Sequence, residues 1–121
     1  MPPDADDLLA EQLRKLRREY LADSVTRVEE LRQLRAQLAQ GDLAALVGLR
    51  RAFHRLAGSG GSYGFPAVSS KSRDGERVIQ RLESAGIPVN PGDISALDQC
   101  VEDVANAFAD ARNAPDVGQA I

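Results

Sequence analysis

The chain has 121 residues, 43% of them hydrophobic and 4% aromatic, and a formal net charge of −3, so it forms one small domain without a general nucleic-acid-binding surface. Its one cysteine, Cys100, and one histidine, His54, exclude a disulfide framework and the usual zinc sites. No apolar run is long enough to cross a membrane and the N-terminus is acidic rather than signal-like, which predicts a cytoplasmic protein without membrane contact.

Residues 4–39 are predicted to be helical throughout, because apolar residues recur three or four positions apart. A first apolar stripe is formed by Leu9, Leu13, Leu16 and Tyr20. The stripe changes phase at Leu21, which predicts either a bend at residues 22–24 or one long helix whose halves face different neighbours. We therefore expect an N-terminal helical extension over residues 1–20, a core bundle over about 21–113 and a flexible tail over 114–121.

Gly41 and Asp42 are expected to end the first helix and cap the second, which is predicted over residues 43–63. Its predicted buried stripe comprises Leu43, Leu46, Leu49, Phe53, Leu56 and Ala57. At 100° per residue, His54 lies about 100° from the centre of that stripe, at the boundary between core and water. Arg51 and Gly58 share the flank of His54, whereas Arg55 is expected to point away.

The third helix is predicted from Pro66 to about Ser84, with proline in the first turn. Ser72 and Gly75 leave the middle of its apolar stripe nearly empty, so we expect it to be the least stable helix. A loop over residues 85–92 precedes a last helix that Asp93 is expected to cap. Alternation with a period of two is absent, and the fold class is therefore all-α: an antiparallel up-down four-helix bundle with an additional or extended N-terminal helix.

The stretch around His54 carries four glycines within seven residues, at positions 58, 60, 61 and 64. The spacing His-x-Leu-x-Gly-Ser-x-x-x-x-Gly, from His54 to Gly64, resembles the signature of histidine-containing phosphotransfer (HPt) domains. The resemblance continues with an apolar residue at 68, a small one at 72 and an acid at 76. It departs at Ala57, where many members carry lysine, and at Gly75, where a leucine is usual.

This resemblance implies that His54 accepts a phosphoryl group from a receiver-domain aspartate and relays it to another receiver. It further implies a carrier rather than an enzyme, with no cofactor of its own and Mg²⁺ only on the partner receiver. Receiver domains, and a hybrid histidine kinase as a further candidate, are the expected partners. Residues expected to dock the receiver or surround the phosphoryl group are Gly58, Arg51, Arg50, Arg55, Ala57 and Gly61. Arg51 is the first choice to replace the missing lysine, and no acid–base partner for His54 is identifiable from the sequence.

Other interpretations of the same residues remain open. The protein could be a helical module that docks receivers or kinases without carrying phosphate, or a dimeric scaffold built on the N-terminal stripe, although we expect a monomer rather than a dimer. His54 could also be an ordinary boundary histidine followed by a glycine loop. A nucleotide-binding loop is disfavoured, because residues 58–64 lack the Lys-Ser/Thr of a P-loop and follow no strand.

Overall fold

The computed structural model describes residues 4–86 and 90–114, and within these ranges it consists of four α-helices and no strand. The helices are α1 (Ala5–Ala39), α2 (Ala44–Ser62), α3 (Pro66–Ala85) and α4 (Pro91–Asn113). Each helix packs against its two neighbours around a closed ring, α1 against α2, α2 against α3, α3 against α4 and α4 against α1. The predicted all-α four-helix bundle is confirmed. Apart from residue 114, the predicted tail lies outside the described residues, as does part of the predicted loop, residues 87–89.

Helix α1 is one continuous helix of 35 residues with no break at residues 22–24. Asp4 caps it by accepting a hydrogen bond from the backbone N–H of Asp7 at 2.8 Å, and acidic side chains in the first turn suit the positive end of the helix dipole. Its buried side chains begin only at Leu21. No side chain of α1 before Leu21 is buried, although Arg17 and Tyr20 still contact Phe65; the expected end of the extension at residue 20 stays a prediction.

The core is aliphatic with a few aromatic rings, and its largest fully buried side chains include Phe53, Phe108, Leu31 and Leu49. Cys100 is buried in the same core, and burial raises the pKa of its thiol. A buried, protonated thiol packs as a small apolar side chain, so Cys100 is a core residue. None of the described helices is both long and apolar enough to span a bilayer.

Two of the helix junctions depend on glycines with positive φ. Gly41 follows α1 at φ +91°, and Gly64 follows α2 at φ +84°, a conformation that residues with a side chain rarely adopt. The N-cap residue of α2 is Leu43 rather than the predicted Asp42, although the Asp42 side chain accepts a hydrogen bond from the backbone N–H of Ala44 at 3.1 Å. The expectation that Leu43 is buried is wrong: it lies before the first turn of α2 and is 37% exposed.

Helix α4 begins earlier than the sequence pattern indicates. Asn90, not Asp93, is its N-cap, and the Asn90 side chain accepts a hydrogen bond from the backbone N–H of Gly92 at 2.7 Å. Pro91 occupies the first turn, where its missing N–H costs nothing, so the Pro-Gly pair belongs to the helix rather than to the loop.

Candidate functional site

The site is positioned by the packing of the Phe53 phenyl ring against Gly75. A Cβ atom on Gly75 of α3 would lie 2.5–2.6 Å from three ring carbons of Phe53 on α2, well inside van der Waals contact. Phe53 is fully buried, so its ring fills the space that the small residues of α3 leave open. The small residues of the α3 stripe therefore leave no void at Gly75, because the neighbouring helix supplies the missing volume; that α3 is the least stable helix stays a prediction. This contact sets the position of α3 along the axis of α2.

The next residue on each helix forms the site. His54 follows Phe53 and Glu76 follows Gly75, and the imidazole Nδ1 of His54 lies 3.1 Å from Oε2 of Glu76. The His54 side chain is 78% exposed and the Glu76 side chain 19% exposed. A carboxylate can only accept here, so this contact assigns the proton of a neutral imidazole to Nδ1 and leaves the lone pair of Nε2 free. Sequence reasoning missed Glu76 as the partner of His54, although the acid was noted at its position in the motif.

Three arginines of α2 surround the imidazole. The side chains of Arg50, Arg51, His54, Arg55 and Glu76 line one shallow surface depression, called here the His54 depression. Arg50 is held by Glu83 of α3 at 2.9 Å. Arg55 was expected to point away, but its side chain leans back along the helix, with Nε 3.5 Å from the backbone oxygen of Arg51, and so borders the depression.

Arg51 and Arg55 have no ion-pair partner among the described residues. Both are exposed, as is His54, so their charge is available at the His54 depression rather than neutralised by the protein. An anion bound beside His54 would find two free guanidinium groups within one helical turn of the imidazole. This arrangement leaves both Arg51 and Arg55 as candidates to replace the missing lysine.

The glycines after His54 have different surroundings. Gly58, one turn after His54, is exposed, and a Cβ added there would meet nothing within 4 Å. Gly60 is buried, and a Cβ there would lie 2.9 Å from the backbone nitrogen of Ser69, so Gly60 permits the close approach of α2 and α3. Gly61 has ordinary room, since its nearest neighbour would be Ser69 Oγ at 3.6 Å. Gly58 thus leaves an open surface beside the imidazole.

Ala57 contributes little surface. It is 5% exposed, and its backbone oxygen accepts a hydrogen bond from the hydroxyl of Ser69 at 2.6 Å. The residue that replaces the lysine of the motif therefore faces the α2–α3 interface in this chain, and the site has no polar side chain at that position.

A second concave surface lies between α1 and α2, where Leu16, Tyr20, Ser59 and Tyr63 meet. The Tyr20 hydroxyl and Ser59 Oγ are 2.7 Å apart, and the Tyr20 ring stacks on Tyr63 with centroids 4.6 Å apart. Burial raises the pKa of Tyr20, and the hydrogen bond to Ser59 partly opposes that shift. These contacts anchor the middle of α1 to the end of α2, about two turns beyond His54.

Within residues 4–86 and 90–114, no group of three or more histidine, cysteine, aspartate or glutamate side chains is arranged to hold a metal ion.

Comparison with known proteins identifies one family. A family model described as "Hpt domain" matches residues 9–107 of the chain. No curated protein and no solved structure matches it. The matched range contains His54, Glu76, all of α2 and α3, α1 from Leu9 onward and α4 up to Ala107.

Proposed function

Because the chain belongs to the Hpt domain family, whose members are phosphotransfer modules of two-component signalling, we propose that His54 is its phosphoryl-carrying residue. In this proposal a receiver-domain aspartate donates the phosphoryl group to His54, and a second receiver takes it onward. The observation that carries the proposal is the His54 imidazole, 78% exposed on a packed helix, with Nδ1 bound to Glu76 and no hydrogen bond to Nε2 from the described residues.

The transfer needs no proton to leave the protein. The lone pair of Nε2 attacks phosphorus, the N–P bond forms as the P–O bond to the aspartate breaks, and the aspartate departs as a carboxylate. The ring becomes cationic with its proton still on Nδ1, and the Glu76 carboxylate, 3.1 Å away, stabilises that charge. Passing the group to a second receiver reverses these steps and restores the neutral imidazole.

The free arginines complete the proposed site. Phosphoryl transfer depends mainly on in-line approach and on stabilisation of the charge that spreads over the phosphoryl oxygens. Arg51 and Arg55 provide positive charge beside His54, and Gly58 provides open surface for a partner to approach. Any metal ion would belong to the receiver, and the protein itself acts as a carrier.

Phosphotransfer in vitro tests the proposal. Receiver domains loaded with labelled phosphate would be mixed with the full chain, and the label on the chain would be tested for the acid lability and base stability of phosphohistidine. Acid-labile label that a second receiver removes would support the relay. Detectable binding to receivers without any label, across a broad panel, would contradict it and favour a module that only docks its partners.

Glu76 offers a test of the tautomer argument. Glu76→Ala should slow phosphoryl acceptance by about two- to tenfold, because a hydrogen bond of about 0.5–1.5 kcal/mol no longer fixes the proton on Nδ1. Glu76→Gln keeps a carbonyl acceptor and should recover part of the rate. Imidazole ¹⁵N shifts should show a dominant Nδ1–H tautomer in the wild type and a mixture in Glu76→Ala. Asp74→Ala, which removes an acid of α3 that binds Arg77 outside the His54 depression, is the control; equal losses in both variants would refute the role of Glu76.

Substitutions at Gly58 distinguish an effect on partner docking from an effect on folding. Gly58→Ala should stabilise the fold by up to about 1 kcal/mol, because alanine is the better helix former and the added methyl meets nothing. Gly58→Leu should leave the melting temperature at or above that of the wild type, yet slow transfer at least tenfold by obstructing the approach to His54. The control is Gln99→Leu, an exposed position on α4. Unchanged transfer in Gly58→Leu would mean that partners do not approach across this surface.

A further inference from the structure

The N-terminal half of α1 exposes an apolar stripe that the bundle does not cover. Leu9, Leu13 and Leu16 are 60%, 43% and 42% exposed, although their spacing places them on one face of the helix. No residue from Ala5 to Glu19 is buried. Each leucine alone would be an unremarkable surface residue, but three in register on one helix form the seam by which two helices pack.

The charges on this segment divide into two blocks. Acidic side chains occupy its first part, at Asp4, Asp6, Asp7 and Glu11. Basic side chains dominate its second part, at Arg14, Lys15, Arg17 and Arg18; the one acid there is Glu19, 3.9 Å from Lys15. Two copies placed side by side in parallel would set acids against acids and bases against bases. Two copies placed antiparallel set the acidic block of each against the basic block of the other, so the segment is complementary to itself.

The geometry of the bundle accommodates this pairing. An antiparallel pair centred near residue 12 places Ala5 of one copy opposite residue 19 of the other, which is where the bundle of the other copy begins. The overlap is about 22 Å, or four turns of helix, and it places the two bundles at opposite ends. Most residues of the pairing segment are exposed; Ala10, Arg14 and Arg17 are half-buried, and Arg17 packs over the Phe65 ring of its own bundle. The His54 depression is formed entirely by α2 and α3 and stays outside the pairing.

We propose that the chain forms an antiparallel homodimer through residues 5–19 of α1, with Leu9, Leu13 and Leu16 as the seam and the two charge blocks setting the direction. Arginines that alternate with acids along α1 are typical of a solvated face and favour a monomer; the exposure of the three leucines and the distribution of charge over residues 4–18 favour the dimer. The proposal does not depend on phosphoryl transfer.

Light scattering of the full chain over a range of concentrations tests it first. The expected mass is about 26 kDa, twice the 13.0 kDa of one chain, and high salt should weaken the dimer by screening the charge blocks. The double variant Leu9→Gln/Leu13→Gln should lower the mass to that of one chain. Val25→Gln, a change at a 62% exposed position elsewhere on α1, should leave the dimer intact. A wild type that is monomeric at every concentration, or a dimer indifferent to the double variant, would overturn the proposal.

Cross-linking tests the direction. Ala5→Cys and Glu19→Cys lie on the same edge of the stripe, and an antiparallel pair brings residue 5 of one copy to residue 19 of the other. Mild oxidation should therefore link the two variants to each other in a mixture and leave each variant alone mostly unlinked. Efficient linking of Ala5→Cys to itself would instead indicate a parallel pair and overturn the antiparallel arrangement.

Discussion

Replacing His54 by glutamine is expected to abolish phosphoryl acceptance while leaving the fold intact. Glutamine has a similar reach but no ring nitrogen able to form the N–P bond, so the loss should be complete rather than partial. The side chain is 78% exposed and its one side-chain hydrogen bond is to Glu76, so the free energy of unfolding should change by about 1 kcal/mol or less. Transfer of label from a loaded receiver and thermal unfolding of the same preparation measure the two effects.

The control for this variant is Glu102→Gln, on α4 diagonally across the bundle from α2, where the change breaks only the exposed ion pair with Arg32. It should accept label at the wild-type rate. Acid-labile label on the His54→Gln variant would place the phosphoryl group on another residue. Because the chain has no second histidine, that result would also refute a phosphohistidine relay by this protein.

The second large effect concerns Gly75. Gly75→Ala should destabilise the protein by about 1–3 kcal/mol relative to Gly58→Ala, because its Cβ would lie 2.5 Å from ring carbons of Phe53. Both changes replace a glycine inside a helix, so the gain in helix propensity cancels in the comparison and the steric cost remains. The melting temperatures should differ by up to about 10 °C. Chemical denaturation of the two variants gives the difference in free energy directly.

A smaller residue at position 53 should rescue the Gly75 variant. In the Gly75→Ala background, Phe53→Leu should cost less than it does in the wild type, since it relieves the overlap that alanine creates, and a double-mutant cycle measures that coupling. The displaced ring should also disturb the contact between His54 and Glu76, which are the next residues along the two helices. Equal stability of Gly75→Ala and Gly58→Ala would show that the Phe53 ring is not tightly packed against residue 75.

Features that depend on one helix at a time were predictable from the sequence. The apolar repeats predicted the four helices, and the helical wheel placed His54 at the edge of the core beside Gly58. These follow from the geometry of a single helix, in which residues three and four apart share a face.

Features that depend on two helices were not predictable in this way. The contact of His54 with Glu76 depends on how far α3 is shifted along α2. The packing of the Phe53 ring against Gly75 sets that shift, and the apolar repeat within either helix does not predict it. The position of the Arg55 side chain was not predictable either. A helical wheel shows only the direction of each Cβ atom, whereas the long side chain of Arg55 extends back along the helix towards Arg51. The start of α4 was placed too late because Asn90 and Pro91 were assigned to the loop, although asparagine caps and proline begins helices well.

The continuity of α1 has a consequence for any partner that binds its N-terminal half. A flexible linker would let such a partner sample a volume around the bundle, and its effective concentration at His54 would vary smoothly with linker length. An unbroken helix of 35 residues instead holds the partner at a fixed place and orientation, because Tyr20 anchors it to α2 and its buried side chains begin at Leu21. Its effective concentration at His54 is then either very high or close to zero, so the extension selects among partners by geometry as well as by affinity.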